Sequence, residues 1–148
     1  MAADETGVSP LYLAHHEPRD YDRCVRVGSV HLCRRCLLLW PITFAVLALA
    51  LAGIRWPTAL DVPILIAVPI PATFEFVLEH WGLLPYRPSL ELLVTPPLAA
   101  AIGIGLHRYL FHPDDNLFWG VVVVHTFLWG TASTAATLVN SDPGPTTT

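Results

Sequence analysis

The stretch His31-Leu32-Cys33-Arg34-Arg35-Cys36 runs directly into Leu37-Leu38-Leu39-Trp40, and the apolar character continues to Ile54. A helix over residues 36–54 is about 28 Å long at roughly 1.5 Å per residue, which just crosses a hydrocarbon core of roughly 30 Å. The stretch therefore predicts a membrane helix that begins at two cysteines with C-x-x-C spacing.

The composition of the whole chain also favours a membrane protein. Of its 148 residues, 53% are hydrophobic and only 14% are charged, which leaves few charges to cover a soluble surface. The net charge of −4 argues against nucleic acid as a partner, because proteins that bind nucleic acid usually carry a basic face that neutralises phosphates. The lipid bilayer is therefore the first predicted partner.

Three further apolar segments follow the first one. The predicted fold class is all-α, a polytopic membrane protein with four transmembrane helices and a cytoplasmic N-terminal segment that carries a metal clip. The predicted spans cover residues 36–54, 60–77, 90–106 and 117–139. The second span contains three prolines and is expected to be kinked. The third is rich in alanine and glycine between residues 99 and 105, which lets a neighbouring helix approach closely.

Polar segments flank this transmembrane domain of residues 36–139. Residues 1–35 form a predicted extramembrane segment, and residues 140–148 form a tail that we expect to be disordered. An even number of spans places both termini on one side. Six of the eight arginines lie in the N-terminal segment and the second loop, so the positive-inside rule predicts cytoplasmic termini in the cell (inner) membrane.

The C-x-x-C pair predicts a metal site. Two thiolates at this spacing can reach one tetrahedral ion, and a pair of histidines often completes a zinc shell. The predicted zinc ligands are His15, His16, Cys33 and Cys36. Because adjacent residues seldom bind one ion comfortably, Cys24 or His31 is a candidate substitute for one histidine. Two other interpretations stay open: a redox-active dithiol, or two small side chains with no special role.

Two ionisable residues, Glu75 and His125, lie inside the predicted spans beyond their first turns. Glu75 would cost about 2.5 to 3.5 kcal/mol at the centre of a bilayer, so such a residue usually faces a polar interior. Glu79 and His80 follow on nearly the same face. The three form either a proton or ion relay, or a group close enough to the interface to be wetted. His125 lies deeper in the fourth span, where a lone histidine most often hydrogen-bonds to a neighbouring helix.

These motifs resemble the family of small predicted membrane proteins catalogued as domain of unknown function 2085. The resemblance rests on the histidine pair, on Gly28, on Cys33-x-Arg35-Cys36 before a membrane helix, and on Arg87-x-Ser89-x-x-Leu92 before the third span. It covers about residues 14–106. It implies the membrane architecture and a site, but no established activity.

The chain departs from the family pattern at several positions. His15 stands where the family has a cysteine, which preserves a zinc-competent ligand. Leu37-Leu38 replaces a Thr-Gly pair, Glu91 replaces an asparagine, and Val94 replaces an arginine. Because of the last two changes, the resemblance does not support the expectation of a shared function for the second family element.

The leading functional hypothesis is an integral membrane protein with a structural zinc site at the start of its first helix. The zinc would hold the N-terminal segment against the bundle, and that segment would act in interaction or assembly with a membrane-protein partner or a second copy. One alternative is a small transporter or ion-coupled channel subunit that uses Glu75 and His125. Another is a membrane thiol redox protein that uses Cys33 and Cys36. The sequence contains no recognisable catalytic motif, so no pattern in it predicts an enzymatic activity.

Overall fold

The computed structural model describes residues 18–54 and 56–140. Two of the predicted zinc ligands, His15 and His16, lie outside this range, as does the predicted disordered tail beyond residue 140. Predictions that concern those residues therefore stay predictions.

A short hairpin precedes a bundle of helices in the described part of the chain. After a 3₁₀ helix (Pro18–Arg23), the chain forms strands β1 (Cys24–Val27) and β2 (Val30–Cys33), then helix α1 (Arg34–Leu51). A 3₁₀ turn (Thr58–Leu60) leads into α2 (Asp61–Ala67) and α3 (Pro69–His80). Helices α4 (Pro88–Phe111) and α5 (Asn116–Asn140) complete the bundle.

Four helical segments are long and apolar enough to cross a membrane, which confirms the predicted fold class. They are Arg34–Leu51, Thr58–His80, Pro88–Phe111 and Asn116–Ala135. The third segment extends beyond its predicted end near residue 106. Arg108 is accommodated within the helix because it forms ion pairs near the helix end. The second segment is divided at Val68, where Pro69 supplies no backbone N–H to continue the ladder.

The hairpin adds a small sheet to the predicted helical architecture. Gly28 has φ 64°, whereas Ser29 has no positive φ, which is the combination that a type II′ turn requires. The register pairs Val27 with Val30 beside the turn and Cys24 with Cys33 at the far end. Because α1 begins at the residue after Cys33, the hairpin joins the first membrane helix without a linker.

Helices α1 and α4 share the most extensive contact in the described part of the bundle. A Cβ atom added at Gly103 would lie 2.7 Å from the backbone oxygen of Thr43, so only glycine fits between the two helices at this point. Thr43 donates a hydrogen bond from its hydroxyl to the Ala99 oxygen at 3.0 Å, and Thr43 is fully buried. The small residues predicted to permit close packing therefore do so against α1.

Candidate functional site

Buried charges gather at the end of the bundle where the hairpin, the start of α1, the end of α3 and the start of α4 meet. We call this the hairpin end, and the end that carries residues 56–61 and 108–115 the opposite end. Six side chains and Tyr86 form what we call the hairpin-end network. Its charged members are Arg23, Arg34, Arg35, Glu75, Glu79 and Glu91.

Arg35 is the centre of the hairpin-end network because it joins three helices. From the first turn of α1, its Nη2 lies 2.5 Å from Glu75 Oε2 on α3, and its Nε lies 3.4 Å from Glu91 Oε1 on α4. Both glutamate side chains are only 5% exposed. One planar guanidinium thus pairs with two buried carboxylates, a geometry that a lysine cannot reproduce.

Arg23 connects the segment before the hairpin to the same network. It forms an ion pair with Glu79 on α3, whose side chain is 6% exposed. Its guanidinium also lies over the Tyr86 ring, with Cζ 5.0 Å from the ring centroid. The 3₁₀ helix that ends at Arg23 is therefore held against α3 and the loop before α4.

Tyr86 links Arg23 and Arg34 to Glu91. Its hydroxyl donates to Glu91 Oε2 at 2.7 Å and accepts from Arg34 Nη1 at 3.3 Å. Burial, followed by the hydrogen bond to Glu91, raises the pKa of Tyr86, so the phenol stays protonated and keeps donating. With Arg34 included, three arginines balance three glutamates in the network.

Glu75 therefore has a counter-ion inside the protein. The prediction that it faces a polar interior agrees with its ion pair, while its 5% exposure shows that it is buried and not wetted at the interface. His125 is placed differently: its Nδ1 lies 2.8 Å from the Val121 oxygen in its own helix, and not against a neighbouring helix. Among the described side chains, no hydrogen bond or ion pair joins His125 to Glu75.

Three cysteines lie together where β1 and β2 meet α1. Cys24 faces Cys33 across the strands, and a hydrogen bond joins the side chains of Cys33 and Cys36. Counting outward from the turn, the Cys24 and Cys33 pair is a non-hydrogen-bonded one, in which side chains approach most closely. Cys24 and Cys33 are 8% and 3% exposed.

Burial makes Cys24 a poor nucleophile. Desolvation, and next the nearby Cys33, raise the pKa of the Cys24 thiol, so less of the reactive thiolate is present at neutral pH. Reactive cysteines are usually exposed and have a lowered pKa. The described environment of Cys24 is therefore unlike that of a redox thiol.

The predicted zinc site lies partly outside the residues that the structure describes. Within residues 18–54 and 56–140, no group of three or more His, Cys, Asp and Glu side chains is arranged to hold a metal ion. Two of the four predicted ligands, His15 and His16, precede that range. The candidate substitute His31 stacks on Tyr21, with ring centroids 3.9 Å apart. Zinc binding stays a prediction.

The opposite end carries a second charged cluster, which no pattern in the sequence predicts. Arg108 of α4 pairs with Asp61 of α2 at 2.9 Å and with Asp115, which precedes α5. Trp56 Nε1 donates to Asp61 Oδ1 at 2.6 Å. Each residue lies at the end of a predicted span, where charges are ordinary, so the sequence contains no signal that they meet.

Comparisons with protein-family models, with curated proteins and with solved structures found no match for this chain. The resemblance to domain of unknown function 2085 therefore stays a prediction, and the geometry of the described residues carries the functional argument.

Proposed function

We propose that this chain is a multi-pass protein of the cell (inner) membrane, with both termini cytoplasmic, whose N-terminal region is a module for interaction or assembly. The observation that carries this proposal is the bridge from Arg35 to Glu75 and Glu91. Because it closes three helices around the base of the hairpin, the hairpin is presented from a fixed position. A rigid element at the membrane surface suits recognition of a membrane-protein partner or a second copy.

The buried charges of the hairpin end support recognition over catalysis. Each of the three glutamates has an arginine partner, so the geometry leaves no carboxylate without a counter-ion to act as an acid or base. Meanwhile, outward-facing residues of the hairpin such as Val25 and Val27 are 38% and 57% exposed. Apolar side chains on an immobilised hairpin offer a contact surface for another protein.

A structural zinc ion is part of the proposal. The thiols of Cys33, which is buried, and of Cys36, which is partly exposed, would provide two ligands. His15 and His16 would provide the others, with Cys24 or His31 as substitutes. Zinc with four protein ligands is closed to substrate, which again favours a structural role. The ion would fix the chain before Pro18 against the hairpin that the arginines already hold.

One observation favours a second candidate function, an ion-coupled transporter or channel subunit. Glu75 is a buried carboxylate inside a membrane-spanning segment, a position that often marks an ion or proton pathway. Transport would require the ion pair between Glu75 and Arg35 to break in each cycle, so that Glu75 can bind a proton or a cation. A Glu75→Gln variant that folds and keeps every cellular phenotype would remove this candidate.

Photo-crosslinking in cells tests the interaction proposal. A photoreactive residue at Val27 on the hairpin is expected to form a discrete crosslinked product. Arg23→Glu or Glu79→Arg should reduce it, because either change places like charges together and loosens the hairpin. The double exchange restores the opposite pair and should restore the product. The same photoreactive residue at Val123, which is 62% exposed on α5, is the control and should not respond to these changes.

The proposal fails if the Val27 product is absent, or if neither single charge reversal changes it. Parallel unfolding of each purified variant in detergent separates loss of the contact from loss of the fold. A reduced product in a variant that unfolds like the unchanged protein supports the proposal, and recovery in the double exchange assigns the effect to the Arg23–Glu79 pair.

A further inference from the structure

A cavity of about 290 Å³ lies at the opposite end, between the start of α2 and the last turns of α4. This volume is close to the lower limit of ligand pockets, roughly 300 Å³, so it suits a small group and not a drug-sized molecule. We call it the α2–α4 cavity. Its lining includes Trp56, Asp61, His107, Arg108 and Phe111.

Carboxylates outnumber arginines where the α2–α4 cavity adjoins a second one, although within its own described lining Asp61 and Arg108 balance each other. Arg108 is the one fixed cation among its described lining residues, and it is committed to two carboxylates, those of Asp61 and Asp115. A second, more open cavity shares Arg108 and Phe111 with the first and adds the exposed carboxylate of Asp114. With the histidines counted as neutral, the described linings of the two cavities together hold three aspartates and one arginine: Asp61 lines the α2–α4 cavity, and Asp114 and Asp115 line the second. Arg55 lies outside this count.

This arrangement selects a cation over an anion. An anion would have to displace a carboxylate from Arg108, which already donates to Asp61 from Nη1 and to Asp115 from Nε. A cation would instead add to carboxylates whose negative charge exceeds that of their single arginine. Asp61 and Asp115 have side chains only 11% and 12% exposed, so water screens this excess charge weakly.

Aromatic rings form one side of the same cavity. His107 is in edge-on contact with Trp56, with ring centroids 6.2 Å apart, and it packs at 4.9 Å against Phe111. Aromatic rings attract ammonium groups through their quadrupole, and tryptophan does so most strongly. Carboxylates combined with aromatic walls are the usual means of recognising alkylated ammonium ions.

We propose that the α2–α4 cavity binds the ammonium group of a small alkylated amine. The cavity size, the excess of carboxylates and the aromatic wall each favour this ligand class. Such a group is available from a free amine or from the head group of a lipid. The site is separate from the hairpin end and does not depend on the function proposed above.

Calorimetric titration of the purified full-length protein with choline tests the proposal. The protein is embedded in nanodiscs made with phosphatidylglycerol, a lipid whose head group contains no ammonium. Choline is expected to show saturable binding, whereas 3,3-dimethylbutan-1-ol, its uncharged equivalent of the same shape, should bind at least about tenfold more weakly. Absence of choline binding, or equal binding of the two compounds, would overturn the proposal.

Two variants assign the binding to this cavity. Asp61→Asn removes a negative charge from the cavity and leaves more of the positive charge of Arg108 unpaired. The affinity for choline should therefore fall at least about tenfold. Phe111→Leu, at a side chain 55% exposed, removes an aromatic wall without changing charge and should weaken binding about threefold to thirtyfold. Asp22→Asn, an exposed aspartate at the hairpin end, is the matched control and should leave binding unchanged.

Because Phe111→Leu alters an exposed side chain, it keeps the test decisive even if Asp61→Asn fails to fold. Choline binding that neither variant weakens would place the ligand elsewhere and overturn the proposal. A repeat in phosphatidylcholine nanodiscs distinguishes the sources of the group. Loss of choline binding there shows that lipid head groups occupy the cavity, whereas unchanged binding shows that it selects a free amine.

Discussion

At the scale of single residues, Arg35 has the largest influence on the hairpin end. Its position between Cys33 and Cys36 suggests an effect on the thiols or on lipid head groups, and the sequence does not show which side chains it meets. In the structure it is 16% exposed and its partners are carboxylates from two other helices. When one member of such a buried group of charges is removed, the protein is destabilised, because the remaining charges stay buried without a partner.

Arg35→Gln should therefore destabilise the protein by about 3 to 5 kcal/mol, because it leaves Glu75 and Glu91 buried without their shared cation. Arg35→Lys should recover part of this loss, since an ammonium restores the charge but not the two-sided contact. Unfolding of the purified variants in mixed micelles measures both effects. Adding Glu75→Gln and Glu91→Gln to Arg35→Gln should reduce the loss, and no recovery in that triple variant would contradict the account.

At the scale of elements, the pairing of α1 with α4 depends on close approach. Both helices are apolar on most of their surface, so hydrophobicity alone cannot select which faces meet in lipid. The contact is selected by Gly103, which admits the α1 backbone, and by the hydrogen bond from Thr43 to Ala99. A small residue on one helix and a hydroxyl on the other thus determine how the two pack.

Gly103→Ala should destabilise the bundle by about 1 to 3 kcal/mol, because the new methyl group would lie 2.7 Å from the Thr43 oxygen and 2.9 Å from Val46 Cβ. Gly120→Ala on α5 is the matched control, since nothing lies within 4 Å of the added Cβ. The control should be neutral or slightly stabilising, as alanine favours a helix. Equal unfolding midpoints for the two variants in mixed micelles would refute the role assigned to Gly103.

The hairpin is also understood at this scale. Val27-Gly28-Ser29-Val30 places two turn residues between β-branched ones, a typical signal for a two-residue hairpin. The C-x-x-C spacing carries no information about strands, and the predicted all-α fold did not include this hairpin. The consequence is chemical as well as structural, because the pairing brings Cys24 opposite Cys33 although eight residues lie between them in the chain.

At the scale of the whole molecule, the two ends of the bundle differ. The hairpin end balances three glutamates with three arginines, whereas the opposite end joins Arg108 to two aspartates and a cavity. The proposed zinc ion would add a connection at the hairpin end, from His15 and His16 to the thiols. It would make the N-terminal segment part of the folded bundle.

Elemental analysis of the purified protein is expected to find about one zinc per chain. Cys33→Ser and His16→Ala should each lower the zinc content strongly, because each removes a proposed ligand. His125→Ala is the control, since its ring contacts its own helix and should not affect the metal. Zinc-free protein whose thiols titrate freely would exclude the site and leave the hairpin held by the arginine contacts of the hairpin-end network.

The sequence by itself determined the membrane class and the four apolar helices, because length and hydropathy are local properties of each segment. It also identified Glu75 as unusual, since a charge inside an apolar run is visible without any structure. The tertiary structure alone decided that Arg35 pairs with Glu75 and Glu91, and that Arg108 pairs with Asp61 and Asp115. These partners are far apart in the chain, and only the packing of helices brings them within the few ångströms over which charges pair.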